Sequence, residues 1–333
     1  VAAGAGLLDT ASSSTCGVSY AHDWFNGGNQ GYGSERSLRS LRELRELGVT
    51  RISLTNFAFL ESLTASRVFD MELRGGSERR ADMLVDAQRA RELGMEVMIK
   101  PHIWVRGGAW HGQLAPDDWD QFWDEYTVFM LDNARMAQQA QAAWFVVGTE
   151  LVTAVAQRPD RMRDLIAQVR AVFDGQLVYA ANWDECERVE IWDAVDAIGV
   201  QMYAPIATVN DTSPERLRTM AAEWLARYEA VAVTFGKPLV LTEVGFVNRP
   251  GTAIEPHVWP EHVEDVDTVA GEAAQAQAYA AIIEVFGQSG HVQAMYWWKW
   301  YTNPDTADEG DVGFSPRGRT AEDVLRRACA QSE

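Results

Sequence analysis

Eight times along this chain a short aliphatic run gives way to a longer segment of helical spacing, and that alternation restricts the fold more than any other feature. The runs are Gly17–Ala21, Thr50–Leu54, Glu96–Lys100, Trp144–Gly148, Leu177–Ala181, Ala197–Met202, Leu239–Thr242 and Val292–Trp298. Between the first two, Leu38, Leu41, Leu44 and Leu47 repeat at helical intervals and Gly48 supplies the stop. Pro159 and Pro214 stand where later helices open, because proline fits a first helical turn. The runs are apolar on both faces rather than alternating, which predicts strands of a covered, parallel sheet. Strand and helix in strict alternation give an α/β class, and eight pairs recurring about every 40 residues predict closure into a (β/α)8 TIM barrel. One such domain is expected over residues 1–333, with 1–15, including Ser12-Ser13-Ser14-Thr15, as a flexible lead-in.

Composition narrows the function. The chain has 29 basic and 48 acidic residues, a net charge of -19, which opposes binding to nucleic acid because that affinity rests on neutralising phosphates. No apolar run approaches the roughly 18 residues of a membrane span, so no membrane partner is expected, and a monomer is. Cys16, Cys186 and Cys329 are far apart, allow at most one disulfide, and include no C-x-x-C pair. His22, His102 and His111 form no zinc motif, and Gly27-Gly28-Asn29 lacks the lysine of a phosphate loop, so no metal or cofactor is expected. The first residues lack a basic start and a long apolar stretch. If a signal peptide has been removed the protein is secreted or held in the cell envelope, and otherwise it is cytoplasmic.

Two of the runs end on a glutamate. Lys237-Pro238-Leu239-Val240-Leu241-Thr242-Glu243-Val244-Gly245 stops on Glu243, and Trp144-Phe145-Val146-Val147-Gly148-Thr149-Glu150 stops on Glu150. Strand ends in a barrel face one mouth, where the chemistry sits. Taken singly, either acid reads as an ordinary loop residue or an ion-pair partner. Taken together at one mouth, they are the two carboxyl groups that glycoside cleavage requires.

These residues also carry a family resemblance. Gly148-Thr149-Glu150-Leu151, Gly199-Val200-Gln201-Met202-Tyr203-Ala204-Pro205, Thr242-Glu243-Val244-Gly245 and Gly313-Phe314-Ser315-Pro316-Arg317-Gly318 resemble glycoside hydrolase family 113, whose members are mainly β-mannanases. The resemblance covers nearly the whole chain, and its motifs are specific in combination. It implies a retaining double displacement on β-1,4-linked mannan or manno-oligosaccharides, with Glu150 as acid/base and Glu243 as nucleophile. It also implies that the Tyr203 hydroxyl touches the nucleophile and that Trp298 floors the subsite beside the cleaved bond. One departure stands out: where the wider clan has an asparagine before the acid/base, this chain has Thr149, and Asn182 is the candidate to replace its contact with the sugar 2-hydroxyl.

Further sugar contacts are expected from strand ends and loops. Asn56, Lys100 and His102 are candidate donors to hydroxyls, although each is as readily a structural hydrogen-bonding residue. Trp24, Trp104, Trp110, Trp183 and Trp259 fall in loops after strands and suggest stacking platforms, while many of the 13 tryptophans serve packing. Period-two alternation puts Trp300 on the same side as Trp298. Competing readings are a hydrolase of another β-linked glycan, a non-catalytic carbohydrate-binding barrel, and an aldolase-type barrel using Lys100 as a Schiff base.

Overall fold

The structure is a computed structural model that describes residues 16–23, 31–70, 72, 78–259, 267–305 and 311–330. Trp24 and the lead-in at 1–15 lie outside the described residues. The strands in chain order are β1 (Cys16–Ala21), β2 (Arg51–Leu54), β3 (Phe57–Leu60), β4 (Phe69–Asp70), β5 (Glu96–Ile99), β6 (His102–Val105), β7 (Trp144–Thr149), β8 (Gln176–Asn182), β9 (Ala197–Met202), β10 (Leu239–Val244) and β11 (Val292–Tyr301). The helices are α1 (Glu35–Glu46), α2 (Arg80–Glu92), α3 (Trp119–Gln139), α4 (Val152–Gln157), α5 (Pro159–Arg170), α6 (Pro214–Phe235), α7 (Thr268–Phe286) and α8 (Thr320–Ala330).

Eight strands close into a parallel barrel in the order β1-β11-β10-β9-β8-β7-β5-β2. These are the eight aliphatic runs, and the fold is the expected (β/α)8 TIM barrel. Their doubly apolar character is explained by two cores. Met98, Trp144, Val146, Val178, Ala180, Val240, Ala294 and Tyr296 fill the barrel, while a larger apolar layer packs its outer wall against the helices. Gly199 has no room for a side chain, since a Cβ there would stand 2.3 Å from the Tyr179 carbonyl oxygen. Helix starts follow from local chemistry: Ser34, Asp118, Ser213 and Asp267 cap α1, α3, α6 and α7 by accepting from backbone N–H groups, and Pro159 and Pro214 open α5 and α6. Gly236 ends α6 at φ +62°.

Three strands stand apart from the alternation. β3, β4 and β6 form a small sheet in the order β4-β3-β6, with Phe57 opposite His102 and Phe59 opposite Trp104. The same four residues line the mouth of the barrel. At the seam of the barrel, Cys16 of β1 is disulfide-bonded to Cys329 of α8, and Cys186 is a buried free thiol.

Candidate active site

A cleft of about 730 Å³ opens at the carboxyl ends of the strands and takes in both Glu150 and Glu243. The sequence aims them by local irregularity. The register of β7 against β8 shifts between Val146 and Gly148, and that of β10 against β9 shifts between Leu241 and Glu243. Such bulges turn the following side chains out of the regular strand direction. Glu150 itself sits at φ +48°, in the left-handed region, which costs a residue with a Cβ about 1–2 kcal/mol. Its N–H is tied to the Ala180 carbonyl oxygen at 2.8 Å, so the barrel holds it in that conformation.

The two carboxyl groups live in opposite surroundings. Burial, and then the charge of Glu243, push the Glu150 carboxyl up from 4.5 to about 8. Trp110 Nε1–H donates to its Oε2 at 3.3 Å, and His111 Nε2 lies 3.7 Å from the same oxygen. Burial holds the His111 imidazole well below its ordinary range, and its Nε2 bonds the Thr149 carbonyl oxygen at 3.2 Å. Glu243, by contrast, faces two donors: the Lys100 ammonium bonds Oε1 and Tyr203 O–H donates to Oε2 at 2.7 Å. Lys100 is itself fully buried. A carboxyl placed to hold a proton thus shares a cleft with one held by two donors.

The other expected residues separate into two groups. His102, Trp104, Asn182, Trp183, Tyr203 and Trp298 all line the cleft. His102 bonds the Ile103 carbonyl oxygen through Nδ1 at 2.7 Å, and burial followed by Lys100 lowers its pKa to about 3. With Nδ1–H so engaged, the neutral ring offers Nε2 as an acceptor rather than the expected donor. Lys100 lies beneath the cleft on Glu243, with Nζ 5.2 Å from the Trp298 ring centroid, so it reaches the carboxylate and not the solvent-facing wall. Paired with Glu243 and outside the cleft lining, it is not placed to form a Schiff base with a bound substrate.

The structure does not bring Asn56 and Trp300 to the cleft. Asn56 is buried and donates to Asn133 Oδ1 of α3 at 2.9 Å. Trp300 turns outward, donating from Nε1 to Ser40 Oγ of α1 at 3.1 Å beneath Arg317. The reason is a bulge: Ser19 pairs with Trp298 but Tyr20 pairs with Trp300, so Lys299 is skipped and the alternation slips by one. The peptide between Trp298 and Lys299 is cis. Lys299 accordingly lines the cleft, with Nζ near the Trp259, Trp298 and Tyr301 rings. His22, Tyr32, Glu78, His111, Gln201 and Lys299 are lining residues that the sequence did not assign; His111 stands beside a loop tryptophan and Gln201 within one of the family motifs, and these are the local signals that could have found them. Among the described residues no group of three His, Cys, Asp or Glu is placed to hold a metal ion.

A closed (β/α)8 barrel with two strand-end glutamates in an aromatic cleft, one buried toward protonation and one held by donors, defines a barrel glycoside hydrolase. The chain belongs to glycoside hydrolase family 113, whose family model matches residues 20–318. Among solved structures, the GH113 β-mannanase AaManA from Alicyclobacillus acidocaldarius in complex with ManMIm superposes with a TM-score of 0.82 at 24% identity, over 95% of this chain and 97% of that one. A complex of a GH113 β-1,4-mannanase gives a TM-score of 0.81 at 24% identity, over 94% and 98% of the two chains. A GH5_18 protein from Streptomyces cattleya in complex with GlcNAc is more distant, with a TM-score of 0.55 at 14% identity over 96% and 81%. At these identities the likeness establishes the fold. No curated protein matches the chain. Among the described residues no helix is long and apolar enough to cross a membrane.

Proposed function

We propose that this hydrolase cleaves β-1,4-mannosidic bonds in mannan or manno-oligosaccharides with retention of configuration, as one catalytic domain. The observation that carries the roles is the opposed setting of Glu150 and Glu243. Glu243 attacks the anomeric carbon as Glu150 gives its proton to the leaving oxygen, so the glycosidic C–O bond breaks and a glycosyl ester forms. Glu150, now a carboxylate, takes a proton from water as that water attacks the anomeric carbon and Glu243 departs. Tyr203 and Lys100 hold the nucleophile, Trp298 floors the glycone subsite, Asn182 serves the 2-hydroxyl, and Trp104 and Trp183 add aromatic walls. The mannan specificity draws on family membership and on the named mannanases of the same fold. The Cys16–Cys329 disulfide favours an oxidising, extracytoplasmic setting.

Mutant rescue tests the roles. Glu150→Ala is expected to retain turnover of activated aryl β-mannosides, where little acid help is needed, and to yield β-glycosyl azide when azide is added. Glu243→Ala is expected to be nearly inactive on aryl and natural substrates alike. A β-azide from Glu243→Ala and only an α-azide from Glu150→Ala would exchange the assignments. Defined mannosides, glucosides and xylosides compared on the wild-type enzyme decide the sugar.

A further inference from the structure

Trp298 lies beside Lys100, which bonds Glu243, whereas Trp110 bonds Glu150. Trp110 is 41% exposed, the most open tryptophan of the described cleft, yet its indole N–H is committed to Glu150 Oε2. One side of the indole rests on Gly112, where an added Cβ would come within 2.4 Å of the ring. The Gly112 carbonyl is in turn held by the Thr153 hydroxyl of α4 at 2.9 Å. The loop that delivers it passes through Gly107 and Gly108 at φ +80° and +77°, both in open space. A proton donor must meet the leaving oxygen, so a ring fixed to the tip of that donor at the rim stands where the departing sugar lies.

We propose that Trp110 is a positioning and leaving-group residue: its N–H fixes Glu150 Oε2, which leaves Oε1 to carry the proton, and its free indole face stacks on the sugar ring of the leaving group. The inference rests on the proposed roles of Glu150 and Glu243. Sugar rings present flat C–H faces that pack on indole, and one such contact set against a rigid backing orders the leaving group relative to the acid. The bond also tunes the acid. Burial and Glu243 raise the Glu150 carboxyl, and the Trp110 N–H opposes them by favouring the anion. The other charged or titratable groups around Glu150 are Lys100, Glu185, His111, Tyr179 and Tyr203, and a substitution at Trp110 leaves all of them in place.

Two variants separate the two duties. Trp110→Phe keeps a stacking ring and deletes the N–H; Trp110→Ala deletes both. On a manno-oligosaccharide, Trp110→Phe is expected to move the basic limb of the kcat/KM profile upward by about half a pH unit or more, with KM within about twofold of wild type. Trp110→Ala is expected to show the same displacement and a KM raised at least about tenfold. A Trp110→Phe profile superimposable on wild type, or a Trp110→Ala KM within twofold, overturns the proposal. Melting temperatures confirm folding of each variant, and Trp110→Phe suffices for the acid arm if the alanine variant fails to fold. Should the wild-type enzyme leave mannosides intact, the sugar assignment fails; the same variants on whichever β-linked oligosaccharide it cleaves still decide the role of Trp110.

Discussion

Replacing Glu150 with glutamine is expected to stabilise the protein, and by an amount that grows with pH. The folded carboxyl is raised from 4.5 to about 8 by burial and by Glu243. Between those values the folded chain keeps a proton that the unfolded chain has released, so stability falls as pH rises through the window. Linkage puts the penalty below about 1 kcal/mol at pH 5 and near 3 kcal/mol at pH 7. Glutamine occupies the same space, keeps the same backbone at φ +48° and never ionises, so its own packing cost cancels when the two pH values are compared. The advantage of Glu150→Gln over wild type is expected to widen by about 2–3 kcal/mol from pH 5 to pH 7. For 333 residues the unfolding entropy is about 0.7 kcal/mol/K, so the gap in Tm widens by about 3–4 °C. Scanning calorimetry of both proteins at the two pH values measures it. An equal Tm difference at pH 5 and pH 7 would refute the claim that the fold holds Glu150 protonated.

Two further outcomes follow from single contacts. Tyr203→Phe removes a 2.7 Å bond to the Glu243 carboxylate and is expected to lower kcat/KM by about 10- to 100-fold with little change in Tm; a loss under threefold would show the hydroxyl to be idle. Cys329→Ser opens a bridge between residues 313 positions apart and is expected to cost about 2–5 kcal/mol. Dithiothreitol should lower the Tm of the wild type toward that of the variant and leave the variant unchanged, and a wild-type Tm indifferent to reductant would show that the bridge contributes nothing.

The barrel strands were legible because each is a run buried on both faces, so its composition alone marks it; Ala197–Met202 matches in full, and the other seven runs agree to within a few residues at one or both ends. Glu150 and Glu243 were legible because a charged residue ending such a run has few other places to go. The small sheet was not, since β3, β6 and β4 span four, four and two residues, too short to establish a period. His102 and Lys100 look equivalent at the end of one run, yet Pro101 separates them: Lys100 follows β5 beneath the cleft and His102 opens β6 along its wall. The outward turn of Trp300 is not legible for a different reason: the bulge at Lys299 arises from pairing with β1, almost 300 residues earlier, and no local pattern records it.

The Cys16–Cys329 bridge changes the topology of the covalent molecule as well as its stability. With the first barrel strand fastened to the last helix, residues 16–329 form a ring, and β1 meets β11 at the point where the ring is tied. A protease that cuts any one loop of that ring makes a linear chain with new ends, not two fragments. Both halves of the barrel, and with them Glu150 and Glu243, stay on one covalent body until a second cut or a reductant arrives.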